Sequence, residues 1–228
     1  MPMRARLDAA LLTRPPRLLH ALLPGCEWTG PRTTPTGAPV VYLTFDDGPI
    51  PEETPWVLEQ LAAFDAQATF FCVGENLKRY PDIARATLAA GHRLGNHTHQ
   101  HRSAWATTRS DYVQGIVDCQ LALSAVGLVE SQGTGAPAML FRPPHGRLTW
   151  PLLQALRPEY RVAMWSVLTR DYDPDLSPEN CLRFALAAVR AGDIVVFHDS
   201  RKASARLRFV LPRLLVHLAA QGFQFHAL

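Results

Sequence analysis

Short apolar runs rich in β-branched and aromatic residues recur along this chain, and between them the apolar positions fall at helical spacing. Seven strands are predicted on this basis, at residues 40–45, 68–73, 92–95, 139–142, 161–167, 193–198 and 223–226. The intervening segments read as helices with identifiable ends. Ser110 is placed to cap one whose apolar face is Val113, Ile116, Val117 and Leu121 and which stops at Gly127. Ser177 followed by Pro178 starts another, with Gly192 after its last turn, and residues 207–220 form the last. Residues 29–38 read as a loop leading into the main domain, and residues 131–137 as a flexible surface loop.

Alternating β and α elements imply parallel strands joined by right-handed crossovers. The residues with chemical potential fall just after the first, third, fourth, fifth and sixth strands, where active sites gather in β/α barrels. An open doubly wound sheet would place its ligand at one switch point. Contributions from five strand ends therefore favour an α/β barrel. Residues 1–38 read as a segment and loop packed on a single domain at 39–228.

The 228 residues suffice for one such domain. Against 20 Asp and Glu, the 23 Lys and Arg leave a net charge of +3 and are scattered, which argues against a nucleic-acid partner. Cys26, Cys72, Cys119 and Cys181 lie far apart and form no CxxC pair, so neither a disulfide framework nor a thiolate metal site is indicated. No run approaches the roughly 18 consecutive apolar residues of a membrane span. Arg14-Pro15-Pro16-Arg17 interrupts any export-signal core in residues 1–24, which read as a short amphipathic segment. The expectation is a cytoplasmic, monomeric protein without a membrane span.

The first strand ends in Asp46-Asp47-Gly48-Pro49. Neighbouring strand residues point to opposite faces, but the Gly-Pro turn lets both carboxylates reach one mouth, and a metal on one of them would keep both ionised. The same four residues are also good turn chemistry. About fifty residues on, His97, His99 and His101 fall within five positions. On a helical turn His97 and His101 share a face; in an extended segment all three do. With Asp47 the pair His97 and His101 makes a His₂Asp set with open positions, the pattern of a catalytic metal site, and it accepts Zn²⁺, Co²⁺, Fe²⁺ or Ni²⁺, Zn²⁺ being favoured.

Arg142-Pro143-Pro144-His145-Gly146-Arg147 is a proline-stiffened loop. It suits either a surface turn or a site in which Arg142 holds a carboxylate while backbone N–H groups face an oxyanion. His198 ends an apolar strand, where a lone histidine is as readily structural as catalytic. Asp171 is available to orient its imidazole and raise its pKa, as an acid for a leaving amine requires.

TFDDGP, NHTxxH, RPPxG, the segment from Trp165 to Asp171, and VVFHDS occur here in the order of the five motifs of the polysaccharide deacetylases, the NodB-homology or carbohydrate esterase family 4 enzymes. The chain resembles that family over roughly residues 40–228. The resemblance implies a NodB-like distorted (β/α)₇ barrel and metal-dependent removal of N-acetyl groups from N-acetylated amino sugars in a peptidoglycan- or chitin-like glycan. By position, Asp46 resembles the catalytic base, and Asp47, His97 and His101 the metal ligands. Arg142 resembles the arginine that holds the base, and His198 the general acid oriented by Asp171. Pro144, His145 and Tyr172 fall where the family binds substrate and the oxyanion.

Some positions depart from the family pattern. His145 stands where many members carry tyrosine, Leu168 where many carry aspartate, and Tyr172 where tryptophan is frequent. His99 is additional, and points away from the metal if 97–101 is helical. The alternatives are hydrolysis of a small N-acyl or aryl amide and, from another class, a non-catalytic carbohydrate-binding module.

Overall fold

Among the described residues, every pairing between strands is parallel. The computed structural model describes residues 13–128 and 139–228; the first twelve residues and the loop expected at 131–137 lie outside the described residues. In chain order the elements are α1 (Arg17–Leu22), β1 (Val40–Asp46), α2 (Thr54–Ala62), β2 (Ala68–Cys72), α3 (Gly74–Arg79), α4 (Pro81–Ala89) and β3 (Arg93–Asn96). Then follow α5 (Arg109–Ala125), β4 (Met139–Phe141), a 3₁₀ turn (Pro144–Gly146), α6 (Trp150–Leu156), β5 (Tyr160–Val162) and β6 (Val167–Leu168). The last are α7 (Pro178–Ala188), β7 (Ile194–His198), α8 (Ser204–Ala220) and β8 (Gln224–Phe225).

The sheet order is β5-β4-β3-β2-β1-β7-β6, with β8 also paired to β1. Its two edges, β5 and β6, are consecutive in sequence. Laid flat, six interstrand spacings would separate them by about 29 Å. The chain from Val162 to Val167 spans at most about 18 Å. The sheet must therefore curl until its edges approach, which produces the distorted barrel.

The single strand expected at 161–167 is thus two. Its middle is diverted because Met164 N donates to Glu27 O at 2.7 Å, while the carbonyls of Ala163 and Met164 accept from the Arg142 guanidinium at 3.2 and 3.0 Å. The helix expected to start at Ser110 is capped instead by Thr108, whose Oγ1 accepts from Asp111 N at 3.2 Å. Its buried face is Tyr112, Ile116, Cys119, Ala122 and Leu123, while Val117 and Leu121 are exposed. The face is set by where the helix crosses the sheet: Asn96 Nδ2 donates to Ile116 O, and Cys119 Sγ to Cys72 O. Ser177 does cap α7, accepting from Asn180 N.

Strand alternation decides what faces the barrel interior. Val41, Leu43 and Phe45 of β1 join Phe70, Val195 and Phe197 in the core beneath the helices. Val40 and Tyr42 pack inside with Phe71, Leu140, Ala163 and Ile194. Thr44 and Asp46 continue that inner row, as Val196 and His198 do on β7. The described part of the N-terminal segment is tied to the barrel: Arg14 pairs with Asp193 at 2.7 Å, and Glu27 with Arg161 at 2.7 Å. Among the described residues no helix is long and apolar enough to cross a membrane.

Candidate active site

The C-terminal ends of the strands open onto a cleft of about 530 Å³ whose walls include Asp46, Asp47, His97, His101, His145, Tyr172 and His198. Six described non-glycine residues have positive φ, and five belong to the loops around this mouth: Asp47, Thr98, His101, His145 and Arg170. Such conformations cost energy for L-residues and persist where the surroundings over-determine them.

Asp46 and Asp47 part company at the end of β1. Asp46 stays in the inner row, buried, and its Oδ1 accepts from Arg142 Nη1 at 2.7 Å. Asp47, at φ 83°, turns towards the histidines. The turn is held by Asp199, whose Oδ1 accepts from Gly48 N at 3.0 Å and Oδ2 from Thr54 Oγ1 at 2.5 Å. A Cβ at Gly48 would run into the Asp199 carboxyl, so the close approach requires glycine. Burial pushes the Asp199 carboxyl up to about 8.

Residues 97–101 are not helical. His97 and His101 nonetheless converge, because left-handed backbone at Thr98 (φ 64°) and His101 (φ 53°) folds the loop back on itself. Asn96 shapes that loop by accepting from Thr98 N at 2.9 Å. His99 is directed away, its ring against Gly74. The reason for its orientation is therefore the folded loop rather than a helical turn.

Asp47, His97 and His101 each bring a donor atom to within 4.8 Å of the others. Asp47 Oδ1 lies 3.3 Å from His101 Nε2 and 3.8 Å from His97 Nε2, yet it is buried with no hydrogen-bond partner. Donors that crowd together without bonding one another suit a shared cation. His97 Nδ1 is 2.8 Å from Arg142 O, which turns Nε2 towards Asp47, as the outer partner of a metal-bound imidazole does. Burial lowers His97 to about 4, so the ring is neutral, the form that ligates. Burial acts to raise the Asp47 carboxyl, but the rings of His198, His97, His101 and His145 outweigh it and hold it below its ordinary value. The donor set thus fits one divalent metal.

Arg142 is fully buried. Its guanidinium lies over the Phe71 ring at 4.1 Å and donates to Asp46 and Thr44 (both 2.7 Å) and to the two diverted carbonyls of residues 163 and 164. Burial lowers its pKa and Asp46 opposes that. On the other side, His198 Nδ1 is 2.7 Å from Asp171 Oδ1, and His198 N donates to Asp171 Oδ2 at 2.8 Å. Burial acts to lower the His198 pKa, but Asp171 prevails and raises it to about 9. Tyr172 meets the same imidazole edge-on at 5.0 Å.

His145 adopts φ 59° and sets its ring 4.6 Å from that of His101. Gly146 follows at φ +63°, and a Cβ there would strike the Trp165 ring. Pro143 rather than Pro144 lines the cleft; Pro144 is buried beneath it, its carbonyl accepting from Arg147 N. The other residues singled out from sequence stand around the same mouth. Thr44, Asn96, Asp199 and Trp165 carry parts of the site that sequence reading left unassigned, although each sits inside a quoted motif. Their roles depend on contacts between distant strands.

The family model for polysaccharide deacetylase matches residues 33–158. The chain is 34% identical over 212 residues to a chitooligosaccharide deacetylase of Sinorhizobium fredii, covering 86% of this chain and 95% of that protein. It is 29% identical over 193 residues to a peptidoglycan-N-acetylglucosamine deacetylase of Bacillus cereus, covering 84% and 87%. In structure it is similar to the Bc1960 peptidoglycan N-acetylglucosamine deacetylase, with 26% identity and a TM-score of 0.75 over 90% of this chain and 91% of the other.

Proposed function

This chain belongs to the polysaccharide deacetylase family, and we propose that its cleft hydrolyses the N-acetyl amide of amino sugars in a peptidoglycan- or chitin-like glycan, releasing acetate and a free amine. One observation carries this reading. An Asp–His–His donor cluster shares a single cleft with a carboxylate held by arginine and an imidazole held by aspartate.

Asp47, His97 and His101 would hold the metal, with Zn²⁺ the favoured ion. When bound, the metal supplies Lewis-acid polarisation of the acetyl carbonyl and a water of lowered pKa. Asp46 is the general base. Arg142 fixes its Oδ1 and orients the carboxylate so that Oδ2 takes the proton from the attacking water. The N–H groups of Gly146 and Arg147 are engaged by the carbonyls of Pro143 and Pro144, which leaves the His145 N–H as the turn's donor to the oxyanion.

His198 is the general acid. With Nδ1 on Asp171, its Nε2–H is the proton given to the departing amine, and a raised pKa keeps that proton in place at neutral pH. Tyr172 packs against the imidazole and forms part of the sugar-facing wall.

The test is acetate release from N-acetyl-chitooligosaccharides by metal-stripped protein, with and without added Zn²⁺ or Co²⁺. Release that returns with metal supports the reading. A folded, metal-loaded protein that releases acetate from simple acetanilides and from no oligosaccharide would move the assignment to small amides.

A further inference from the structure

The lips of the cleft carry two cations that the proposed reaction leaves unused. Of the charged side chains lining it, Asp46 is held by Arg142, Asp47 belongs to the donor cluster, and His198 is held by Asp171. Lys202 and Arg147 line the same cleft, and among the described residues neither is in an ion pair with a carboxylate. Each is seated on an aromatic ring instead. Lys202 Nζ lies 5.7 Å from the centre of the Tyr172 ring, and Arg147 Cζ lies 5.1 Å from that of Trp105. A cation on a ring face keeps its charge while its side chain loses some of its freedom.

Sheet order places the two couples on opposite sides of the reaction centre. Tyr172 and Lys202 come from the loops after β6 and β7, on one side of β1; Trp105 and Arg147 come from the loops after β3 and β4, on the other. Trp105 is 66% exposed, so its ring also offers a surface to a ligand. One cation per lip matches one negative charge on each neighbouring unit of a bound chain.

We propose that Lys202 and Arg147 are specificity-determining residues that bind carboxylates on the sugars flanking the N-acetylated unit, so that the substrate is an acidic glycan rather than a neutral chitin-type one. This inference rests on the deacetylase reading above. The carboxylate has two sources, an ether-linked lactate on an amino sugar or a uronic acid.

The test compares the metal-loaded full chain on five oligosaccharides: N-acetylglucosamine alternating with N-acetylmuramic acid, N-acetylglucosamine alternating with glucuronic acid, a carboxyl-reduced form of each, and N-acetyl-chitooligosaccharide. For at least one acidic series, reducing the carboxyls should raise KM roughly tenfold, and added salt should narrow the gap. Which series responds identifies the source. In the double variant Lys202→Ala, Arg147→Ala the acidic and reduced forms should converge, and Lys202→Arg with Arg147→Lys should restore the preference. Calorimetric titration of the metal-free protein with the acidic oligomers reads the same contacts without turnover. Equal use of acidic and reduced forms by the wild type, or a preference that survives in the double variant, would overturn the inference. If no substrate releases acetate, the reaction reading fails, and the titration still decides the role of the two cations.

Discussion

Asp46 and His198 stand opposite each other in register at the C-terminal ends of the adjacent parallel strands β1 and β7. Both continue the inner rows of their strands, so the two proposed proton-transfer groups flank one point at the barrel mouth. Each is held by a buried partner of opposite charge brought from another strand end, Arg142 for Asp46 and Asp171 for His198. The base and the acid are therefore positioned independently.

Asp46→Asn should cut acetate release by about 100- to 10,000-fold while leaving metal content unchanged, because it removes the base and spares the ligand set. Initial rates alongside metal analysis check this. Near-wild-type turnover would move the base to another residue.

Arg142→Ala should destabilise the protein by roughly 3–5 kcal/mol, because the buried Asp46 carboxylate loses its cation. Denaturant unfolding measures it. A loss below about 1 kcal/mol would mean that the pair is not buried in solution as it is here.

His101→Ala should lose bound metal and activity together, whereas His99→Ala should keep the metal, since His99 is turned towards Gly74. Metal stoichiometry of the two variants separates them. Equal loss in both would place His99 in the ligand set.

The pH profile follows from His198. Its pKa is raised in the folded protein to about 9 from an ordinary 6.5, so the acid stays protonated through neutrality and the alkaline limb of the rate profile lies near pH 9. The same pairing contributes stability fully below about pH 6.5 and loses it as pH rises through 9. Asp171→Asn should draw the alkaline limb of kcat down towards neutrality. An unmoved limb would show that another group sets it.

Asp199 has the same sign of linkage for a different reason. Burial raises its carboxyl from 3.8 to about 8, so the folded state holds the proton more tightly, and stability falls as pH rises through that window. Asp199→Asn should flatten this dependence between about pH 4 and 8, as urea unfolding at several pH values would show. An unchanged slope would assign it to other groups.

Much of the barrel was legible as pattern. The apolar runs located the strands to within a residue or two, and alternation with helices made them parallel. Where the reading departed from the structure, a long-range contact had intervened. The strand at 161–167 divides because its central carbonyls serve Arg142, 21 and 22 residues back in the chain. The α5 face is rotated because Asn96 and Cys72 meet it at positions that hydrophobic periodicity does not record. His97 and His101 converge through left-handed backbone in a loop, a conformation that their spacing could not distinguish from a helical turn.

The sequence by itself determined the set of reactive groups and their attachment to the ends of particular strands, because those depend only on residue identity and on the period of the pattern. Tertiary structure alone decided which of them meet. A strand such as β7, apolar up to its final histidine, is buried on both faces and does not declare which row looks inward. The inner position of His198, the separation of Asp46 from Asp47, and the seating of Lys202 and Arg147 on opposite lips all follow from the curl of the sheet.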